Sequence, residues 1–490
     1  MKESIQKMIN SKFGAACDKF CNSPWYCFAI GVVCIVAHTF DIPIVGAAFL
    51  IALLVPSLLF CKNSFVLVPF ALMCSFVMSK ETSPQSGYYN NAAAISILSV
   101  LLAFAVAAFV FNIVVYDKWK VMFKRAYLTV SFAVLTTALI LGGIGTPSYS
   151  FTGLGMSIAI AATMFIPYSM LVNCGEYKGG KTVEYFAWAM ISVSVVLFAA
   201  VIKQYVIHGL SLSYHPKNLI EFGYAISNTG AAFVLIAIPV TYYMVYKYKH
   251  GYLFMLAVAL ELLTIALTFS RASLAVAIPG TVIVAIVLCF KKKVGKLGYY
   301  ITFGIAAAVA IILAVIYRET LTKLIVSMFS SDSTGSGRLD LWKTGFEAWK
   351  GSPIFGLNIW YLPPINNWYY SFHNTLLTYL YCTGIVGLLA YLYHRYKTVR
   401  LVFSAKLTSK RVFLALSVLA MLLNALLDIA MTMPPHLIYY GIMLALIDCD
   451  VKAVKAENNS AEAERCGKDI SIKSDDTNNN EQREVVNNEL

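Results

Sequence analysis

The chain of 490 residues is 59% apolar and 13% charged, about half the charged share of an average soluble domain. Uncharged apolar runs of 16 to 25 residues recur along it, each long enough for a bilayer core about 30 Å thick, and this excludes a soluble globular protein. The net charge of +13 lies in short clusters between those runs, where it marks topology and does not form the continuous basic face that would bind nucleic acid.

Residues 1–24 form a basic, cytoplasmic N-terminal segment with four lysines and no small-residue cleavage site before the first apolar run. Ile5, Met8, Ile9 and Phe13 share one helical face, which suits a helix lying on the membrane surface or an ordinary solvated start. Apolar runs follow at 25–40, 42–60, 64–79, 92–116, 122–142, 153–173, 185–207, 229–246, 252–269, 273–290, 297–317, 374–394, 411–428 and 430–447. Each is expected to be helical, because lipid offers no partner to exposed backbone groups. The fold class is therefore an all-α polytopic membrane protein whose transmembrane domain spans 25–447. It has about fourteen spans, or thirteen if the last two, joined by a tight turn at Met433-Pro434-Pro435, are not both complete.

With the N-terminus in the cytoplasm, cytoplasmic segments before residue 448 collect 23 Lys and Arg, against nine on the outer side, five of them in one long loop. The positive-inside rule selects this orientation, with both termini cytoplasmic. None of the eleven cysteines falls in an outer loop, so no outer disulfide framework is expected, and Cys17 and Cys21 read as reduced thiols. Residues 448–490 hold 11 acidic, 6 basic and 7 Asn residues, the composition of a disordered cytoplasmic tail.

Transporters hold ionisable residues within their spans. Here Glu261, mid-span, and Asp428, near an outer end, are the clearest, and Glu261 reads equally well as a hydrogen-bond partner between helices. Arg271-to-Gly387 is more informative. Ser270-Arg271 occupies an outer turn, where an arginine works against the positive-inside rule; a snorkelling side chain is the plain alternative. The outer loop 318–371 is far longer than the others and such loops are commonly functional. After the flexible stretch from Ser330 to Gly337, an amphipathic helix begins near Arg338, with Ser336 as N-cap and Gly351 and Pro353 as stop. Leu339, Trp342, Phe346 and Trp349 share its apolar face, which suits the lipid–water boundary.

A helix N-terminus attracts anions, and the Arg338 guanidinium adds a bidentate clamp for phosphate; a salt bridge to Asp340 or Glu347 is the structural alternative. The loop continues through Gly356, Pro363-Pro364 and the aromatic cluster Trp368-Tyr369-Tyr370-Phe372 to His373-Asn374 at the mouth of the next span. The aromatics suit a membrane belt. An imidazole there could act as general base, although a lone histidine is often structural. No Gly-rich phosphate loop, HExxH or paired acidic motif for a divalent metal is present in the outer loops, so phosphate chemistry would rest on arginines.

Ser270-Arg271, Gly337-Arg338 with Trp342, Gly356, His373-Asn374 with Leu377, Gly384 and Gly387, and the ending Asn424–Asp428 before Pro434-Pro435 together resemble the O-antigen ligase and polymerase superfamily, closely over about 255–390. The resemblance implies a bacterial cell-membrane glycosyltransferase, independent of metal and ATP and without a cofactor. It would invert the anomeric centre as it moves glycan from an undecaprenyl-diphosphate carrier to an acceptor hydroxyl on a glycan or lipid-linked acceptor at the outer face. Carried onto this chain, Arg271 and Arg338 would hold the diphosphate and stabilise its charge, and His373 would activate the acceptor or pair with the diphosphate. Asn374 and the outer-loop Lys217 are further substrate-binding candidates. Outside this class, a transporter or flippase of lipid-linked glycan would depend on Glu261 or Asp428 instead.

Overall fold

The computed structural model describes residues 7–83, 86–87, 90–209, 220–223, 225–291, 294–316, 318–319, 322, 338–358, 364–365, 368–369, 372–428 and 433–487. Lys217 and the stretch from Ser330 to Gly337 lie outside them, as do nearly half of loop 318–371 and the Arg338 side chain. The described chain is helical apart from two small antiparallel pairings, Glu221–Phe222 with Ala225–Ile226 and Pro364–Ile365 with Trp368–Tyr369.

In chain order the helices are α1 Lys12–Cys21, α2 Pro24–Thr39, α3 Pro43–Phe60, α4 Val68–Met73, α5 Ala92–Val115, α6 Thr129–Leu141, α7 Phe151–Cys174, α8 Gly180–Ile207, α9 Ser227–Lys247, α10 Met255–Leu267, α11 Arg271–Lys291, α12 Lys296–Ile316, α13 Arg338–Trp349, α14 Thr375–Val402, α15 Ser409–Ala425 and α16 Pro434–Asn487. Every apolar run of the sequence meets one of these, so the all-α polytopic class holds. Helical runs and full-length crossings are not the same thing, however. Among the described residues, seven helices, α3, α5, α7, α8, α9, α11 and α14, are long and apolar enough to cross a membrane, and α1 with α2, bent by 73°, makes an eighth if the pair is one span.

Two other runs are shortened for local reasons. The run 64–79 is split into 3-10, α and 3-10 pieces around Pro69. Of 122–142, only Thr129–Leu141 is α-helical, because the chain first turns at Lys124-Arg125. At the C-terminal end, α16 keeps its helical course to Asn487, through the polar tail whose composition suggests disorder. Its opening half carries the apolar run, and Ala, Glu and Lys in 451–466 are good helix formers.

Helix α9 is the axis of the bundle. From Ser227 to Val245 every residue is buried, and α8, α10, α11 and α15 pack around it. Small residues at Gly230, Ala231, Ala232 and Ala237 let neighbours approach closely, which is how helices associate where lipid removes the hydrophobic drive. Helix α5 is the opposite case: it is apolar all round, and only Ala94, Ala108 and Asn112 are buried. An exposed apolar surface of that size needs lipid to cover it. Glu261 on α10 is fully buried and accepts from Thr241 on α9 (2.7 Å) and Ser194 on α8 (3.2 Å), so it ties three helices together.

One irregularity positions the site. Helix α14 is interrupted at Gly384 (φ 63°, ψ −164°), and the segment following α13 is inserted there. Leu357 N–H donates to Tyr381 O (2.8 Å) and Asn358 N–H to Cys382 O (2.9 Å), while Ile385 N–H donates back to Pro353 O (2.9 Å). A break in a helix at membrane depth persists only if its freed backbone groups find partners, and residues 353–358 supply them. A Cβ on Gly384 would stand 2.1 Å from Ile354 O, and one on Gly356 2.5 Å from Cys382 C. The two glycines are required because two backbones meet there.

Candidate active site

His373 stands immediately before α14. Asn374 is the N-cap of that helix, its side chain accepting from Leu377 N–H (3.0 Å) as an Asn in this position should. Its amide also donates to Leu426 O (3.2 Å), which draws the end of α15 against the start of α14. His373 itself has a positive φ of 49°, an unusual conformation for a side-chain-bearing residue. The reward is a side-chain contact: His373 Nδ1 lies 3.0 Å from Asp428 Oδ1, with the Asp428 side chain 3% exposed and that of His373 21% exposed. An ionised carboxylate can only accept, so Nδ1 carries the proton and Nε2 is left as an acceptor on the partly exposed side of the ring.

Arg271 opens α11 on the same side of the bundle. Leu274 N–H bonds to Ser270 O (2.9 Å), Ser270 Oγ donates to Ser273 Oγ (3.1 Å), and Asn424 of α15 donates to Ser273 Oγ (3.1 Å). Asn424 lies one helical turn before Asp428, so α15 holds both the first turn of α11 and the imidazole of His373. Arg271 is exposed and makes no ion pair among the described residues. The residue two before it, Phe269, also has positive φ (52°). Strained loop residues therefore gather at this end, as is common at functional sites.

Helix α13 begins at Arg338 and reaches the same place from the long loop. Trp342, one turn further on, donates Nε1–H to Phe372 O (2.7 Å), the residue before His373. Phe372 is fully buried, 4.7 Å from the Tyr381 ring, and pressed so close to Gly345 that a Cβ there would lie 2.3 Å from it. The face of α13 that packs is thus Leu341, Trp342 and Gly345. Leu339 and Phe346, grouped with Trp342 and Trp349 on one face by spacing alone, are 60% and 44% exposed. A helix on a membrane surface has apolar neighbours on two sides, protein and lipid, so one apolar stripe does not reveal which side meets protein. Between α13 and α14 a groove of about 370 Å³ opens at Asn374, walled by Trp342, Phe346, Leu377, Leu380 and Leu388.

Behind His373 lies a buried polar set that sequence reasoning passed over. His436, two residues into α16, is fully buried, stacks on Phe233 of α9 at 4.0 Å, and sits close to Asp428 and the backbone of Thr229. Among the described residues, Thr229 Oγ1 and Asn228 Oδ1 are buried without a hydrogen-bond partner, and the His436 ring has the Thr229 backbone as its one polar neighbour of hydrogen-bonding kind. Buried polar atoms of that kind call for a ligand or ordered water. Of the candidates read from sequence, His373 and Asn374 stand at the start of α14, the helix that Arg338 opens reaches Phe372 beside them through Trp342, and Arg271 opens α11, which is tied to α15 through Ser273 and Asn424. Asp428, read as a transport residue and as the last residue of the ending Asn424–Asp428, joins them as the partner of His373. Its place before Pro434-Pro435 was a visible signal, and no residue pattern pointed to His436.

Residues 253–392 match a family model described as O-antigen ligase. The matched stretch runs from the start of α10 into α14, close to the bounds of the sequence resemblance, and includes Arg271, Arg338, His373 and Asn374. Asp428 and His436 lie beyond it. A search of curated proteins returned no match to the chain.

Proposed function

From an O-antigen ligase region that covers residues 253–392, we propose that this membrane protein is a glycan transferase acting at the face where α14 begins, the outer face by the Lys and Arg distribution. Its donor is a saccharide on an undecaprenyl-diphosphate carrier, and its acceptor a hydroxyl of a glycan or lipid-linked glycan. The observation that carries the reading is the His373–Asp428 pair at 3.0 Å beside the apolar groove and the exposed Arg271.

The acceptor hydroxyl gives its proton to His373 Nε2 as its oxygen attacks the anomeric carbon from the side opposite the diphosphate, which inverts that centre. Asp428 holds the ring in the tautomer this needs and stabilises the imidazolium that forms. The sugar–oxygen bond to the diphosphate breaks, and the charge that develops on the leaving group meets Arg271, the free N–H groups of the first turn of α11, and Arg338 at the start of α13. The groove between α13 and α14 takes the first isoprene units. Arginines supply the positive charge for this step.

The test is a surface-glycan length profile in a deletion strain complemented with wild type, Arg338→Ala or Glu261→Ala. Wild type and Glu261→Ala are expected to restore long chains and Arg338→Ala is not. Single repeats left on carrier lipid identify a polymerase, and full-length polymer stranded on the carrier a ligase. Full rescue by Arg338→Ala with failure of Glu261→Ala would replace the enzyme reading with transport.

A further inference from the structure

At the opposite end of the bundle, just past α5, Lys118 is 3% exposed. Its Nζ donates to Ser64 Oγ (3.0 Å) and Asn112 Oδ1 (2.7 Å), both neutral. Neighbouring carboxylates are engaged elsewhere: Asp117 binds Lys120 at 2.7 Å, and Glu176 lies between Lys62 (3.9 Å) and Lys178 (3.8 Å). Among the described residues Lys118 therefore has no ion pair. A buried cation with only neutral partners carries an uncompensated desolvation cost, and burial lowers its pKa to about 8.

Ser64 has a second role. It is the one polar residue in the described wall of a cavity of about 340 Å³ between α3, α5, α7 and α16. The other wall residues that fix its depth are Leu58, two residues from the end of α3; Leu171, three from the end of α7; and Ala105, ten from the end of α5. Ten residues of helix rise about 15 Å, half of a hydrocarbon core about 30 Å thick. The cavity thus begins at Ser64, whose hydroxyl Lys118 bonds from behind the wall, and extends one leaflet deep. It exists because the run 64–77 forms short pieces that leave the space of a full helix open.

We infer that this cavity and Lys118 form a binding site for an anionic phospholipid from the leaflet opposite the His373 end, the cytoplasmic leaflet in the proposed orientation. One acyl chain fills the apolar cavity, and the headgroup phosphate supplies the charge that Lys118 lacks, with Lys62 and Lys120 close by. Depth and charge together select this occupant. A polyprenyl-diphosphate donor presents its headgroup at the other membrane face, and a zwitterionic lipid brings no net charge to offset the lysine. The site is separate from the transferase chemistry and does not depend on that reading.

The experiment is native mass spectrometry of the full-length protein in mild detergent, titrated with phosphatidylglycerol, phosphatidylcholine or undecaprenyl phosphate. Wild type is expected to hold one phosphatidylglycerol about tenfold more tightly than phosphatidylcholine, a factor that corresponds to about 1.4 kcal/mol. Lys118→Met should remove the preference, and Lys118→Arg, which keeps the charge, should retain it. Ala105→Trp, which fills the cavity, should reduce binding of both phospholipids. Lys397→Ala, which removes a cation stacked on Tyr127 at 4.7 Å, should leave the preference intact. Equal binding of the two phospholipids, wild-type preference in Lys118→Met, or tighter binding of undecaprenyl phosphate than of phosphatidylglycerol would overturn the proposal.

Discussion

An imidazole beside a carboxylate has a defined proton-bearing nitrogen, and the chemistry at His373 turns on that. Because Asp428 Oδ1 faces Nδ1 at 3.0 Å, replacing Asp428 with Asn puts an amide of the same shape in the same place but one that can donate as well as accept. The imidazole is then free to carry its proton on Nε2, where it cannot accept one from the acceptor hydroxyl. Asp428→Asn is expected to lower the transfer rate by about 10²–10⁴-fold while the protein keeps near wild-type levels and melting temperature. A rate within threefold of wild type, in a reconstituted assay with lipid-linked donor, would remove His373 from the role of base. The histidine stood out in sequence by its place with Asn374 at the mouth of a span that follows the long loop. The aspartate's role was not, because 55 residues separate it from His373, and only the packing of α15 against α14 and α11 makes the contact.

At the level of elements, the long loop acts as part of the bundle because residues 353–358 repair the break in α14. Gly384 adopts φ 63° with ψ −164°, a region reserved for glycine, which costs other residues about 1–3 kcal/mol, and its Cβ would also strike Ile354 O. Gly384→Ala should therefore lower the melting temperature, and it should open the 353–358 segment to limited proteolysis before the bundle unfolds. Gly280→Ala on α11 is the matched control, since a Cβ there meets nothing within 4 Å. Indifference to Gly384→Ala would mean that the loop is held by α13 alone. Gly356 and Gly384 stood out in the sequence as parts of one resemblance. Their facing each other could not be read there, because backbone-to-backbone bonding leaves no side-chain pattern. Helix identity was legible for the opposite reason: lipid demands internal backbone pairing wherever a run is apolar. Crossing length was not, because Pro69 and the Lys124-Arg125 turn shorten helices inside runs that look continuous.

Across the whole molecule the two ends are built to different standards. The His373 end carries positive-φ residues at Phe269, Asn358 and His373 and, among the described residues, buried polar atoms without hydrogen-bond partners at Asn228 and Thr229. Around Asp450 and Asp448 the far end is densely paired. Asp450 accepts from Thr408 (2.7 Å), Tyr177 (3.0 Å) and Arg411 Nε and Nη2 (3.0 Å each), and lies 3.2 Å from Lys410; Asp448 accepts from Tyr168 at 2.6 Å. Arg411 also donates to Val402 O and Ala405 O, closing the turn between α14 and α15. A site that stores strain needs such a base to hold its helices in register. Arg411 and Asp450 are both fully buried, so Asp450→Asn leaves a buried guanidinium without its counter-charge and should cost about 3–5 kcal/mol at pH 7. Burial alone would raise the Asp450 pKa, but Thr408, Lys410 and Arg411 outweigh it and hold the value below the ordinary one. A depressed carboxylate contributes its stability fully above its unfolded value, about 3.9, and loses it as pH falls through the lower folded value. The wild-type melting temperature should therefore stay level on this account from pH 8 to pH 5. Its advantage over Asp450→Asn should narrow only in acid below about pH 4. Thermal melts of the two proteins in one detergent, taken across that range, read both effects, and a gap that closed near neutral pH would show that the pair is not what anchors this end.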